Sequence, residues 1–348
     1  MRFAIDILHP AHVHFFRNFI GEMTGRGHEF LVTVREKEFT GELLDGYGIE
    51  HVSISRQARG SLGLAKELAL RTWKFRGLAK RFGADFLLGI MGPTIALAGK
   101  TLSSKTVVFY DTEMATVTNW FAYPLADAVV TPTCYSGKVG GNHVTYSGYH
   151  ELAYLHPDRF TPDRRVLADA GLDGELPIYV VRFVSWEASH DIGEKGFSIA
   201  QKRRLIELLS TRGQVLLTSE GPLPEGLESY RSRVPIGDIH HALACADLLV
   251  GESATMASEA AVLGTHALFV SKTGRGYTDE QERDYGLVHN FSDAEAEKAL
   301  AEVETLLALG DLKGDASRRR ERLLADKIDV TGWMVDYFER DARSPQRS

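Results

Sequence analysis

Three histidines follow the first apolar segment of the chain, which runs from Phe3 to Leu8. They are His9, His12 and His14, at the point where a predicted strand gives way to a predicted helix. Such imidazoles can act as a base or a phosphate contact, can start the helix, or, as a His-x-His pair, can hold a metal ion. No second histidine cluster follows a later strand, so we expect no metal site and favour His12 as a catalytic base.

Two carboxylates, Asp111 and Glu113, follow the fifth apolar segment with Thr112 between them. Side chains at positions i and i+2 of an extended chain point the same way, so both can reach one substrate. One of these predicted catalytic groups would then be a general base, with its pKa raised by the charge of the other. Alternatively, Asp111 or Thr112 caps a helix and Glu113 favours the helix dipole.

A third segment, ADLLVGESATMASEAAVLGTHALFV, covers residues 246–270. Its pattern predicts a strand that ends at Gly251 and a helix that starts near Ser253. Gly251 allows another backbone to approach closely, and Ser253 and Thr255 are residue types that cap helices. The amide groups of the first helical turn form an anion site, which Glu259 can face from one turn further along. An ordinary strand–helix turn fits the same pattern.

The order of apolar segments indicates how these residues are positioned. Strand–helix alternation runs from residue 3 to residue 132 and starts again at residue 178. Nearly continuous apolar strands predict parallel sheets covered on both faces. Residues 144–176, rich in Tyr, Pro and Gly, predict an irregular connection. Helices are expected at 223–231, 293–309 and 315–339, among others.

We therefore expect an α/β chain with two Rossmann-like, doubly wound domains that face a cleft. The predicted domains are residues 1–150 and 151–348, with the last helix able to pack back on the first. Ligands of such sheets bind at the carboxyl ends of the strands.

Composition narrows the classes of partner. The 348 residues carry a net charge of −7 and lack the basic stripe of a nucleic-acid binder. Cys134 and Cys245 are expected to be buried free thiols. Neither a signal peptide nor a spanning helix is indicated, so we expect a cytoplasmic protein. The basic amphipathic stretch 66–81 predicts either contact with the inner membrane face or an ordinary surface helix.

The segment 246–270 resembles the donor-binding segment of glycosyltransferase-B (GT-B) proteins. It is similar to the lipid-II-forming N-acetylglucosaminyltransferase and to the non-hydrolysing UDP-N-acetylglucosamine 2-epimerases. This resemblance implies that Glu259 contacts a ribose and that a phosphate is bound by Ser253, Ala254 and Thr255. In those families a proline stands where this chain has His266.

Longer motifs resemble an uncharacterised archaeal and bacterial family, domain of unknown function 354. They are DILHPAHVHFF (6–16), FYDTEMA (109–115), SGYHELAYLHP (147–157) and RGYTDEQERDYGLV (275–288). The implied GT-B fold assigns residues 1–150 to an acceptor and residues 151–348 to a nucleotide sugar. It also assigns Arg182 to the diphosphate, Ser219 to the nucleobase and Arg275 to a loop that closes on the ligand. Trp186 either stacks on a base or sugar or packs between the domains.

Three functions remain open at this point. The first is a glycosyltransferase that uses no metal ion or cofactor. Its substrate would be a nucleotide-diphosphate sugar, its acceptor a sugar or a lipid-linked molecule, and its product would serve surface polysaccharide or glycoconjugate synthesis. The second is an enzyme similar to UDP-N-acetylglucosamine 2-epimerase, and the third is a nucleotide-sugar binding protein without catalysis. The oligomeric state is left open.

Overall fold

The chain forms two compact units in the computed structural model, which describes residues 1–37, 39–58, 60–114, 116–184, 196–219 and 221–343. Unit 1 consists of Met1–Arg159 and of the segment that begins at Ile328, whereas unit 2 is Phe160–Lys327. The chain thus leaves unit 1 nine residues beyond the expected boundary at 150, and it returns for the last helix. No described helix is long and apolar enough to cross a membrane.

Unit 1 is built on a sheet of seven parallel strands in the order β3-β2-β1-β4-β5-β6-β7. The order reverses between β1 and β4, and a reversal of this kind marks the ligand-binding edge of doubly wound sheets. The strands are β1 (Arg2–Ile7), β2 (Glu29–Glu36), β3 (Val52–Arg56), β4 (Phe86–Ile90), β5 (Lys105–Phe109), β6 (Ala128–Pro132) and β7 (His143–Tyr146).

Helices cover the unit 1 sheet. They are α1 (Pro10–Gly25), α2 (Thr40–Gly46), α3 (Ser61–Phe82), α4 (Pro93–Gly99), α5 (Thr116–Leu125), α6 (Leu152–Leu155) and the returning α14 (Val330–Arg343). Phe338 of α14 packs its ring 5.3 Å from that of Phe3 and 5.4 Å from that of Phe19. The C-terminal helix therefore completes the core of the N-terminal unit.

Strand β7 corrects the expectation of an irregular connection from residue 144. It pairs in parallel with β6, with Val144 opposite Val130. Three of its four residues are exposed or half-buried, and only Tyr146 is buried. A short polar strand at the edge of a sheet lacks the apolar run by which strands are predicted.

Helix α3 shows which way the basic amphipathic stretch is turned. Arg71 is buried on its inner face, with 2% of its surface exposed, and binds the carboxylate of Asp6 in β1. Trp73 lies outside, 70% exposed. One predicted surface cation is thus part of the core.

Unit 2 contains five parallel strands in the order β12-β11-β10-β8-β9, with the reversal between β8 and β10. The strands are β8 (Ile178–Phe183), β9 (Gln214–Ser219), β10 (Leu248–Gly251), β11 (His266–Val270) and β12 (Val288–Phe291). The helices are α7 (Arg165–Asp169), α8 (Ile199–Ser210), α9 (Ile239–Cys245), α10 (Ala254–Leu263), α11 (Gly276–Glu280), α12 (Ala296–Leu307) and α13 (Leu312–Asp326).

Two helices expected in this half of the chain were wrong, and one strand was not predicted. The edge strand β12 was not predicted, for the same reason as β7. The helix expected at 223–231 is only a 3-10 turn, Glu228–Tyr230, because Pro224 and the left-handed Gly226 (φ 87°) precede it. The helix expected at 315–339 is two helices, α13 and α14, separated where the N–H of Ile328 donates to Ser147 O.

Candidate functional site

The carboxyl end of β1 leads directly into the histidines of α1. His9 is the N-cap, and its Nδ1 accepts a hydrogen bond from the N–H of Ala11 at 3.2 Å. His14 belongs to the packing of this helix, since its ring stacks on Tyr154 at 5.2 Å and its Nδ1 lies 3.3 Å from the hydroxyl of Tyr47. The geometry thus gives these two histidines structural partners.

His12 is a neutral donor rather than a free base in this arrangement. It is 5% exposed, and its Nδ1 accepts the N–H of Leu8 at 3.4 Å. Burial, reinforced by His9 and His150 and opposed by Asp111, lowers the pKa of His12 well below its usual 6.5. A neutral imidazole whose Nδ1 accepts must carry its proton on Nε2. The predicted catalytic His12 therefore presents an N–H.

Asp111 pairs with a histidine that the sequence analysis did not single out. Asp111 Oδ2 lies 3.0 Å from Nδ1 of His150, which follows β7 in the turn before α6. Burial favours a high pKa for Asp111, but the His150 imidazole, a hydrogen bond from Thr112 and the more distant His12 lower it to about 2. The expected raised pKa was therefore wrong, because a histidine and not a second carboxylate is the close partner.

Glu113 is turned toward a different part of unit 1. Its Oε1 accepts hydrogen bonds from the N–H of Ser136 at 3.2 Å and from the Ser136 hydroxyl at 3.4 Å. The two predicted carboxylates thus do not point at one common group. Asp111 contacts His150, whereas Glu113 contacts the turn after β6.

The imidazole of His150 lies beside two aromatic rings. The ring of Phe15 lies 4.4 Å away and that of Tyr146 lies 6.4 Å away and nearly parallel. Nε2 of His150 and the hydroxyl of Tyr146 are both buried without a hydrogen-bond partner among the described residues. Burial, with Asp111 contributing, raises the pKa of Tyr146 well above 10, so its hydroxyl keeps its proton.

In unit 2, the turn from β10 into α10 has the predicted form. A Cβ at Gly251 would lie 2.6 Å from Arg182 O of the neighbouring strand β8, so this position requires glycine. Ser253 is the N-cap of α10 and its hydroxyl accepts the N–H of Met256 at 3.3 Å. Ala254 and Thr255 form the first turn, whose amide groups suit an anion.

Glu259 lies further along α10 and is tied to the next helix. Its Oε1 is 2.9 Å from Nε2 of His240, at the start of α9, and both side chains are buried. The carboxylate therefore has a fixed position relative to the turn at Ser253. His240, buried against Glu259, is a further residue of this site.

Two of the remaining predicted binding residues lie near the ends of neighbouring strands, and a third caps a helix. Arg182 in β8 lies opposite Gly251, and Ser219 ends β9 opposite Phe183. Nη1 of Arg275, the N-cap of α11, donates to Thr273 O at 3.3 Å and to Gly274 O at 2.9 Å within its own loop. The predicted stacking residue Trp186 lies outside the described residues.

Glu252 was missed, although it follows Gly251 directly. It is 3% exposed, and its carboxylate accepts the N–H of Val184 at 2.9 Å and that of Phe197 at 2.8 Å. Lys202 Nζ lies 3.4 Å away. Burial raises the pKa of Glu252, against the opposing effects of Lys202 and the two amides. An acidic residue after a strand gives no signal of such an inward position.

The architecture and the β10–α10 turn define the GT-B class of α/β fold. Of the solved structures, MnaA of Staphylococcus aureus determined with UDP matches with a TM-score of 0.72, 11% identity, and 98% and 96% of the two chains covered. The UDP-GlcNAc 2-epimerase of Neisseria meningitidis bound to UDP-GlcNAc matches with 0.72 at 10% identity, over 98% and 100%. MurG of Acinetobacter baumannii matches with 0.62 at 16% identity, over 98% and 100%.

The chain belongs to the family described as protein of unknown function DUF354, whose model matches residues 1–274. An uncharacterised protein of Methanocaldococcus jannaschii is 23% identical over 282 residues, which cover 75% of this chain and 79% of that protein.

Proposed function

We propose that this chain is a glycosyltransferase that takes a nucleotide-diphosphate sugar as its donor. The observation that carries the proposal is the β10–α10 turn, where the contact with Arg182 requires Gly251 and Ser253 starts the helix. A helix N-terminus with free amide groups and positive dipole is suited to a diphosphate.

The surrounding residues support a nucleotide at this turn. Glu259, with its position fixed by His240, is suited to accept hydrogen bonds from the two hydroxyls of a ribose. Arg182 adds a positive charge on the adjacent strand. The amide groups and this guanidinium would stabilise the departing diphosphate, so the proposed reaction needs no metal ion. Two of the similar structures were determined with UDP or UDP-GlcNAc, which makes uridine the first base to test.

Unit 1 supplies groups for proton transfer. Ionised Asp111 follows β5 and lies beside His150, which is in the turn after β7. Neutral His12 lies in the first turn of α1, just after β1. Whereas His12 is a hydrogen-bond donor, Asp111 and His150 suit removal of a proton from an acceptor hydroxyl. They would equally suit proton transfer at a sugar carbon, and the fold is also that of the 2-epimerases, which is why an epimerase is the second candidate.

Incubation of the protein with UDP-GlcNAc and other UDP-sugars tests the proposal. Release of UDP that depends on an added sugar or lipid-linked acceptor is the expected result. Conversion of the sugar to its 2-epimer without an acceptor would replace the transferase by the epimerase. Binding of UDP-sugars with neither reaction would contradict both enzymes and leave a binding protein.

A further inference from the structure

The orientation of His150 toward Asp111 decides which of its two ring nitrogens donates a hydrogen bond. Because the pKa of Asp111 is about 2, its carboxylate is ionised at neutral pH and can only accept hydrogen bonds. The nitrogen that faces it at 3.0 Å, Nδ1 of His150, must therefore donate. In the neutral imidazole this leaves a lone pair on Nε2.

That lone pair accepts no hydrogen bond within the described part of the protein. Nε2 is buried and lacks a hydrogen-bond partner there, and His150 is 6% exposed. A buried acceptor without a donor costs about 1–3 kcal/mol. Such a group in a folded protein calls for an explanation, and a bound ligand with an O–H group is one. The hydroxyl of Tyr146, whose ring lies 6.4 Å from that of His150, is also buried without a partner among these residues.

His9, His12 and His150 differ in which hydrogen bonds they can still make. Nδ1 of His12 is occupied by the N–H of Leu8, and its proton is on Nε2, so His12 is a donor. Nδ1 of His9 accepts the N–H of Ala11 in the helix cap. Only His150, among the three, combines an anion behind one nitrogen with a lone pair on the other.

We propose that His150 is the general base of unit 1 and that Asp111 is its positioning residue; this rests on the proposed function. In the reaction, the oxygen of the acceptor hydroxyl forms a bond to the anomeric carbon of the donor. The bond from that carbon to the diphosphate oxygen breaks, and its electron pair leaves with the diphosphate. The hydroxyl proton moves to Nε2 of His150, and the resulting imidazolium is stabilised by the Asp111 carboxylate.

The test compares His150→Gln with His143→Gln, an identical substitution at an exposed histidine of β7. Glutamine retains a polar group but cannot take the proton. With UDP-GlcNAc and the acceptor that wild type uses, His150→Gln should lower kcat by about 100-fold or more while the Kd for UDP stays within about twofold. His143→Gln should match wild type. A kcat for His150→Gln within about twofold of wild type would overturn the proposal.

Asp111→Asn tests the positioning role by a readout that a structural role would not move. Loss of the anion disfavours the imidazolium, so the acid limb of the pH profile of kcat/KM should shift to lower pH. An acid limb at the wild-type position would exclude Asp111 from this role.

Nitrogen-15 spectra of the histidines separate this inference from the proposed function. If wild type neither binds UDP nor turns over any nucleotide sugar, the proposed function fails, yet the tautomer of His150 is still measurable. A proton on Nδ1 in wild type, partly lost to Nε2 in Asp111→Asn, supports a base at Nε2. A proton on Nε2 in wild type overturns it.

Discussion

Arg71 of α3 binds the carboxylate of Asp6 in β1 inside unit 1, with 3.0 Å between Nε and Oδ2. Both side chains are buried. Removing one partner of a buried ion pair leaves a charge without compensation, at a cost of about 3–5 kcal/mol. We therefore expect Arg71→Met to destabilise unit 1 by that amount, and Asp6→Asn/Arg71→Met to recover much of it.

Urea unfolding followed by tryptophan fluorescence measures this effect, because Trp73, Trp120 and Trp333 all belong to unit 1. Arg81→Met, an exposed site on the same helix, is the matched control and should change the free energy of unfolding by less than about 0.5 kcal/mol. A double variant as unstable as Arg71→Met would show that the unpaired charge is not the cause.

Glu252 fixes two backbone positions in unit 2 with its two carboxylate oxygens. Glutamine has one acceptor oxygen and an NH2 group, so Glu252→Gln sets an N–H against the N–H of Val184 or Phe197. The expected loss of stability is about 1–3 kcal/mol. A Cβ at Gly196 would collide with Glu252 Oε1, so Gly196→Ala should be destabilising as well.

Calorimetric melting of the full chain compares these variants with Glu225→Gln, a change at an exposed position of unit 2. The control should melt like wild type. If Glu252→Gln melts at the same temperature as the control, the carboxylate does not hold these two amides in solution.

A pair of histidines should make unit 2 less stable in mild acid. His266 Nε2 lies 3.0 Å from Asp315, and His266 Nδ1 lies 3.4 Å from Nε2 of His289. Burial lowers the pKa of both below the usual 6.5, with Asp315 opposing this at His266 and Glu302 at His289.

As the pH falls below about 6.5, these histidines bind more protons in the unfolded chain than in the folded one. Their contribution to the free energy of unfolding is therefore present above that pH and lost below it. The melting temperature should fall between pH 7 and pH 5, and His266→Gln/His289→Gln should fall less steeply. An unchanged slope in the double variant would assign the acid sensitivity to other groups.

The sequence predicted most central strands of both sheets and the turn at Gly251, because long apolar segments and a glycine before a helix cap are local features. The edge strands β7 and β12 were missed because half-exposed strands carry no apolar run. His150 was missed for a different reason. Its partner Asp111 stands 39 positions away, and a strand that was not predicted brings the two together.

Local sequence patterns also did not predict the electrostatic environments of Asp111 and His12. One carboxylate of the pair Asp111 and Glu113 was expected to have its pKa raised by the other, whereas the structure places His150 beside Asp111 and lowers the pKa of Asp111 to about 2. His12 was favoured as a base, but burial and the N–H of Leu8 make it a donor. Spacing along the chain predicts which residue types lie near the edge of a sheet, but it does not predict which of those side chains are in contact.

The central claim is that the β10–α10 turn binds the diphosphate of a nucleotide and that Glu259 binds its ribose. Isothermal titration of the full chain with UDP, and with uridine in parallel, tests both parts. We expect UDP to bind at least about tenfold more tightly than uridine, and Glu259→Gln to raise the Kd for UDP by about tenfold, which is about 1.4 kcal/mol. Glu225→Gln should leave the Kd unchanged. Equal affinity for UDP and uridine, or a Glu259→Gln variant that binds UDP like wild type, would contradict the account.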